Sequence, residues 1–346
     1  MKQTNKMKRL FYLCFIVFSF SANTFSQKNY AAKDSSYLDS NNNIVFNDLA
    51  FELKIKSIFK KDSTSLVNIT DVENIKELDI SNPHRSPAIK IKSIDAIKYF
   101  KNLEILYAHF NAISSLKPLS RLAKLTVIRM QNNLVDDISP LAHLVNLREL
   151  GLYMNSVQNI SALKDLKQLE DLDFFGNQVE DISVLKELPE LADLNLGNNR
   201  ITDISCLKNH NKIRSLWLYG NQIQNPEVIR ELKKSLSELS IANCGITNIR
   251  FLSKCIKLET LLVFGNKIMD ISPLKNMTHL TSLLANNNQI ENIDVLVSLV
   301  EKGSLIKKGQ NFPFNLDLSK NKIDYGLTHN MEIKSFLSSK IQKSNF

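Results

Sequence analysis

Five large rings, Tyr153, Phe175, Trp217, Tyr219 and Phe264, fall 22 residues or a near multiple apart, with Trp217 two residues ahead of Tyr219. Four carboxylates, Glu149, Asp171, Asp173 and Asp193, share the spacing. Rings bordered by charge are the composition of an interface centre, where Trp and Tyr carry a disproportionate share of binding energy. The competing reading is that the rings cover one another and that Arg129 only neutralises Glu149. Asp171-x-Asp173 offers a cation two carboxylates and too few further oxygens for a calcium site. H-E-x-x-H, C-x-x-C, G-x-S-x-G and phosphate-cradling glycine loops do not occur, and the chain has only nine glycines. The expectation is therefore binding without catalysis, with no metal and no cofactor.

Those residues are positioned by a repeat. Leu147–Gln168 (LRELGLYMNSVQNISALKDLKQ), numbered 1 to 22, places apolar residues at 1, 4, 6, 11, 14, 17 and 20 and asparagine at 9. The same register begins at Leu103, Leu125, Leu147, Leu169, Leu191, Ile213, Leu236, Leu258 and Leu280, in steps of 22 except for one of 23 after Ile213. Positions 4 and 6 alternate with period two, so a short strand turns them to one side and 3, 5 and 7 to the other. One unit cannot bury its own apolar face, and stacking makes a shared core in which Leu150 lies between Ile128 and Leu172. Position 9 needs a side chain able to donate to and accept from turning backbone, with Cys244 the one substitute. His210 replaces the leucine of position 20 and reads as a core residue. Twenty-two residues leave room on the return path for only a 3₁₀ or single helical turn, at D/N-I-S-x-L.

L-x-x-L-x-L-x-x-N/C-x-L is the leucine-rich-repeat pattern. Over roughly residues 44–325 the chain resembles the bacterial internalin-type family, of the 22-residue class shared with the SDS22-like phosphatase regulators. The resemblance implies an α/β solenoid, a horseshoe with short parallel strands on the concave face, 3₁₀ or short helical turns on the convex face, and a helical N-terminal cap. It also implies binding of a protein partner on the concave face. Departures from the wall-anchored members are the lack of an LPxTG-type signal and of an Ig-like segment after the repeats.

Read in order, residues 1–26 have the form of a secretory signal. Lys2, Lys6, Lys8 and Arg9 precede an apolar run from Leu10 to Phe20, too short to span a bilayer, and Thr24-Phe25-Ser26 supplies a cleavage site. Removing it takes away four of the nine excess positive charges and Cys14, leaving an odd set of cysteines that reads as buried thiols. No basic stripe with interleaved aromatics points to nucleic acid. Residues 27–43 read as a flexible lead, and 44–102 as an N-terminal cap with an atypical first repeat. There Asn47 is a candidate helix cap, Phe46 and Phe51 a hydrophobic staple, and Thr70–Glu73 a capping box. Ser81–Lys90 reads as a loop. Nine repeats fill 103–301. Residues 302–346 hold an insertion (around 300–312), a last repeat opening at Pro313, and a C-terminal cap with Met331, Ile333, Phe336, Leu337 and Ile341 at helical spacing.

The reading that follows is an exported protein holding a protein or peptide on Tyr153, Phe175, Trp217, Tyr219, Phe264, Glu149, Asp171, Asp173 and Asp193. Alternatives are a targeting or regulatory repeat module of an enzyme system, whether phosphatase regulator or effector, and a surface glycan binder. Asn159-Ile160-Ser161 and Asn276-Met277-Thr278 match a glycosylation pattern but fall inside the repeat.

Overall fold

The computed structural model describes residues 37–82, 90–306, 315–341 and 343–346. The expected signal, the residues of the expected 81–90 loop from 83 to 89, and Pro313 with residues 307–312 of the insertion lie outside them. The first described residues form a hairpin of β1 (Tyr37–Leu38) and β2 (Ile44–Val45), paired strands within and at the border of the stretch 27–43 expected to be a flexible lead. Asp39 fixes this turn by accepting from the Asn41 and Asn43 backbone N–H groups, each at 2.8 Å.

Twelve strands then form one parallel sheet in strict sequence order. They are β3 (Glu77–Asp79), β4 (Ile105–Tyr107), β5 (Val127–Arg129), β6 (Glu149–Gly151), β7 (Asp171–Asp173) and β8 (Asp193–Asn195). There follow β9 (Ser215–Trp217), β10 (Glu238–Ser240), β11 (Thr260–Leu262), β12 (Ser282–Leu284), β13 (Leu316–Asp317) and β14 (Ser344–Asn345). Register matches the repeat position for position: Leu150 pairs with Ile128 on one side and Leu172 on the other. All three are fully buried in a single core that runs the length of the array. At about 25 cal/mol per Å² of apolar surface, that continuous spine is the main source of stability.

Backbone polarity in the turns is settled by the position-9 asparagines. Asn177 is typical: its Oδ1 accepts from the Val157 N–H at 2.9 Å, while its Nδ2 donates to the carbonyls of Leu152 at 2.9 Å and Phe174 at 3.0 Å. The same bonds recur at Asn133, Asn155, Asn199, Asn221, Asn266 and Asn288. The ladder breaks once. Cys244 copies the donor half, with Sγ donating to the Leu218 carbonyl at 3.1 Å, but it offers the Ile223 N–H no side-chain oxygen. The 23-residue step is the coil just before it, the one that carries Ile223, and its extra residue is taken up in the 3₁₀ turn Pro226–Leu232, longer than its counterparts.

The other return segments are 3₁₀ turns such as Ser139–Leu141, Ser161–Asp165 and Ser183–Glu187. The D/N-I-S signature acts locally: the side chains of Asp137, Asn159, Asp181 and Asp203 accept from the N–H two residues on, at 2.7–2.8 Å. Asn159 is thus engaged in a turn of the repeat.

At the N-terminal end α1 (Leu49–Ile58) closes the stack through Phe51 and Ile55. Its cap is Asp48, one residue beyond Asn47; Asp48 Oδ1 accepts from Phe51 N at 2.8 Å, and Oδ2 ties down Lys92 and Ser93. Asn47 instead donates to Asp95 at 2.7 Å. Phe46 and Phe51 do meet, edge to face at 5.7 Å. The capping box belongs to Asn68 and Asp71 at the head of α2 (Ile69–Val72), not to Thr70 and Glu73. In the ninth repeat the outer turn becomes α3 (Asp294–Glu301). The far end is covered by α4 (Thr328–Lys340), which buries Ile333 and Leu337, with Ile341 just beyond it. Met331, expected on that apolar side, is instead 54% exposed.

Candidate concave-face interface

Residues at positions 3 and 5 are the outward residues of three-residue strands, and position 7 follows directly. They form three columns on the face opposite the core. Side chains on a concave sheet converge, so the columns are unequal in exposure. The middle column is largely covered: Arg129 is 7%, Asp173 4% and Asn195 5% exposed. The open face expected from alternation alone is therefore narrower than three full columns.

Column 3 places Glu149, Asp171 and Asp193 on neighbouring strands in direct register. Like charges so placed repel by up to about 1 kcal/mol per pair, and the structure offsets this with two arginines. Arg129 reaches across from β5, with Nη2 2.7 Å from Glu149 Oε2 and 3.0 Å from Asp171 Oδ2. Burial disfavours the guanidinium charge, yet Asp171 and Glu149 override it and hold the group above its ordinary pKa. Arg214, at position 2 of the next coil, forks onto both oxygens of Asp193, and that hydrogen bonding raises its pKa. Sequence reasoning passed over Arg214 because position 2 reads as an exposed flank; its step of 21 from Asp193 was the available signal. Asp173 plays a different part: it accepts from Asn195 Nδ2 at 3.0 Å and from the Phe175 N–H at 3.2 Å, supporting the turn under the ring.

Column 7 carries the aromatic ridge. Tyr153 and Phe175 stack with centroids 4.9 Å apart and planes 10° from parallel. Phe175 and Tyr219 stack at 6.4 Å and 16°, although a whole coil separates them. Gly197 makes that possible: a Cβ there would stand 2.8 Å from Phe175 Cδ2. Tyr219 continues to Phe264 at 5.9 Å, past the small Ala242. All four rings remain half-buried. Trp217 stands in the middle column, half-buried, its Nε1 donating to Ser215 Oγ at 2.7 Å; Ser215 Oγ in turn donates to Glu238 Oε2 at 3.3 Å. The rings are therefore brought together in one strip, with Asp171, Asp193 and Glu238 along its flank.

Above the ridge, His109 packs its ring 6.0 Å from Tyr107. Burial lowers its pKa to about 4, against the opposing pull of Asp79. Deep in the core, burial likewise lowers the pKa of His210. The thiols of Cys206, Cys244 and Cys255 are unpaired, and burial raises them to about 12, 12 and 11. Among the described residues no cluster of three or more His, Cys, Asp and Glu side chains could hold a metal ion, and no helix is long and apolar enough to cross a membrane.

The family described as Leucine Rich repeats (2 copies) matches residues 101–143, 145–187 and 256–298. The crystal structure of an internalin (inlF) from Listeria monocytogenes is similar at 27% identity and a TM-score of 0.68, covering 87% of this chain and 96% of its own. A leucine-rich-repeat protein of Leptospira interrogans matches at 22% identity and a TM-score of 0.59, over 72% of this chain and 74% of its own. The ectodomain of a receptor kinase from Arabidopsis thaliana, solved in complex with Casparian strip integrity factor 2, matches at 22% identity and a TM-score of 0.55. That alignment covers 66% of this chain and 28% of the receptor. No curated protein matches the chain in sequence.

Proposed function

From the premise that this chain has the leucine-rich-repeat fold, we propose that it is an exported binding module that holds a protein or peptide partner in the hollow of its sheet. The observation that carries the reading is the ridge Tyr153–Phe175–Tyr219–Phe264 with Trp217 beside it. Large rings left half-open on a rigid parallel sheet supply contact area with few rotatable bonds to immobilise, the property that makes such residues binding hot spots. Export is supported by the charged and apolar character of residues 1–26 and by the internalin likeness. The Arabidopsis receptor adds a fold-level analogy only, since fold does not fix function.

Trp217 is the sole tryptophan, so its fluorescence reports on this face alone. Material captured from cell-surface and secreted extracts by the wild-type chain should be lost in the Trp217→Ala/Tyr219→Ala double variant. It should also shift Trp217 emission when added back to the wild type. Equal capture by both proteins, with emission unmoved, would sink the proposal.

A further inference from the structure

The charge on the described strands is one-sided. Glu77, Asp79, Glu149, Asp171, Asp193 and Glu238 all occupy strand positions facing the hollow, and Arg129 is the only basic residue in any described strand. Yet the whole chain carries a formal charge of +9. Burial first, and then Glu77, Glu149 and Asp79, raise the pKa of Tyr107, and Asp171 and Glu238 add to the Asp193 hydrogen bond in raising that of Arg214.

The face also shows what it pairs with. Arg129 bridges Glu149 and Asp171, and Arg214 forks onto Asp193, so two guanidinium groups of the chain already lie against this column. Glu238 continues it two strands farther, past Ser215, whose hydroxyl links it to the Trp217 Nε1. Resting on the binding role proposed above, we infer that the partner is a cationic polypeptide segment, rich in Lys and Arg and carrying apolar residues between them. Its apolar side chains lie on the rings of Tyr153, Phe175 and Tyr219. Its cations sit at Glu238, at the end of the column beyond the carboxylates that Arg129 and Arg214 already hold. Complementary charge of this kind mostly sets encounter rate and partner choice, while the rings supply residence time.

The test uses the full chain and three labelled twelve-residue probes that share the same apolar residues and differ only in carrying Lys/Arg, Glu or Ser between them. Binding is read by anisotropy and by Trp217 emission. The expected result is that the Lys/Arg probe binds at least about tenfold tighter than the Glu probe, and weakens severalfold between about 50 and 500 mM salt. Glu238→Gln should weaken it about threefold to fivefold, in line with loss of one rim charge. A Lys/Arg probe that binds no tighter than the Glu probe, including the case where neither binds, overturns the inference. Tight binding of the Ser or Glu probe that is abolished by Trp217→Ala/Tyr219→Ala leaves the binding role standing and removes only the cationic partner. Lys/Arg binding untouched by that double variant overturns both, since the contact then lies elsewhere.

Discussion

His109 shows how far a single side chain in this fold departs from its free behaviour. Its imidazole is packed beside Tyr107, and burial brings its pKa from the ordinary 6.5 to about 4. The folded chain thus refuses a proton that the unfolded chain accepts. The sign follows: the stability this group protects is complete above about pH 6.5 and is lost as the pH falls toward about 4, by up to about 3 kcal/mol. Urea midpoints measured across that interval should fall, and His109→Gln should flatten part of the slope; parallel curves for the two proteins would refute the assignment. Little of this was legible beforehand. Position 7 announces a residue on the outer face of a strand, but the crowding of a concave surface that buries His109, Arg129 and Asp173 depends on neighbours one coil away. The asparagines, by contrast, were readable at once, because one side chain with both a donor and an acceptor is the only chemistry that repeats at position 9.

At the level of elements, the strands were placed by period alone and the helix ends were not. Asn47 and Asp48 are equally good caps on local grounds; Asp48 wins because its second oxygen also holds the Lys92 and Ser93 N–H groups, a tertiary partnership that local sequence does not reveal. Asn68 displaces Thr70 in the same way, by bonding to Asn41 and Asn43 as well as capping its own turn. The aromatic ridge is likewise a property of several elements at once. Its continuity depends on Gly197, where β8 ends without a side chain and lets Phe175 lie toward Tyr219. Gly197→Ala should therefore displace the Phe175 ring, costing about 1–3 kcal/mol by overpacking. Near-UV circular dichroism should lose its aromatic signal while the far-UV spectrum is kept. An unchanged near-UV spectrum would mean the stack does not depend on that gap.

For the molecule as a whole, nine copies in one frame made the solenoid legible, since a repeat that cannot bury its own face must stack. The ends were less so, as caps owe no allegiance to the period: β1 is a paired strand within an expected flexible lead, and α3 replaces a 3₁₀ turn where the step lengthens. The shape of the charge distribution emerged only once the coils were aligned, although each acid was visible singly. One seam between coils is also unlike the others. On the coil that starts at Leu236 the thiol of Cys244 stands in for an amide, while on the coil before it the Ile223 N–H lacks its usual side-chain acceptor and the outer turn is over-long. Amide exchange should begin at Ile223 well before Ile201 or Ile268, and Cys244→Asn should slow it; uniform protection along the array would contradict this. Such an arc would flex mainly at one internal hinge, the seam between the tryptophan-bearing coil and the one that follows it, so that its two arms could adjust their spread around a guest without either arm unravelling.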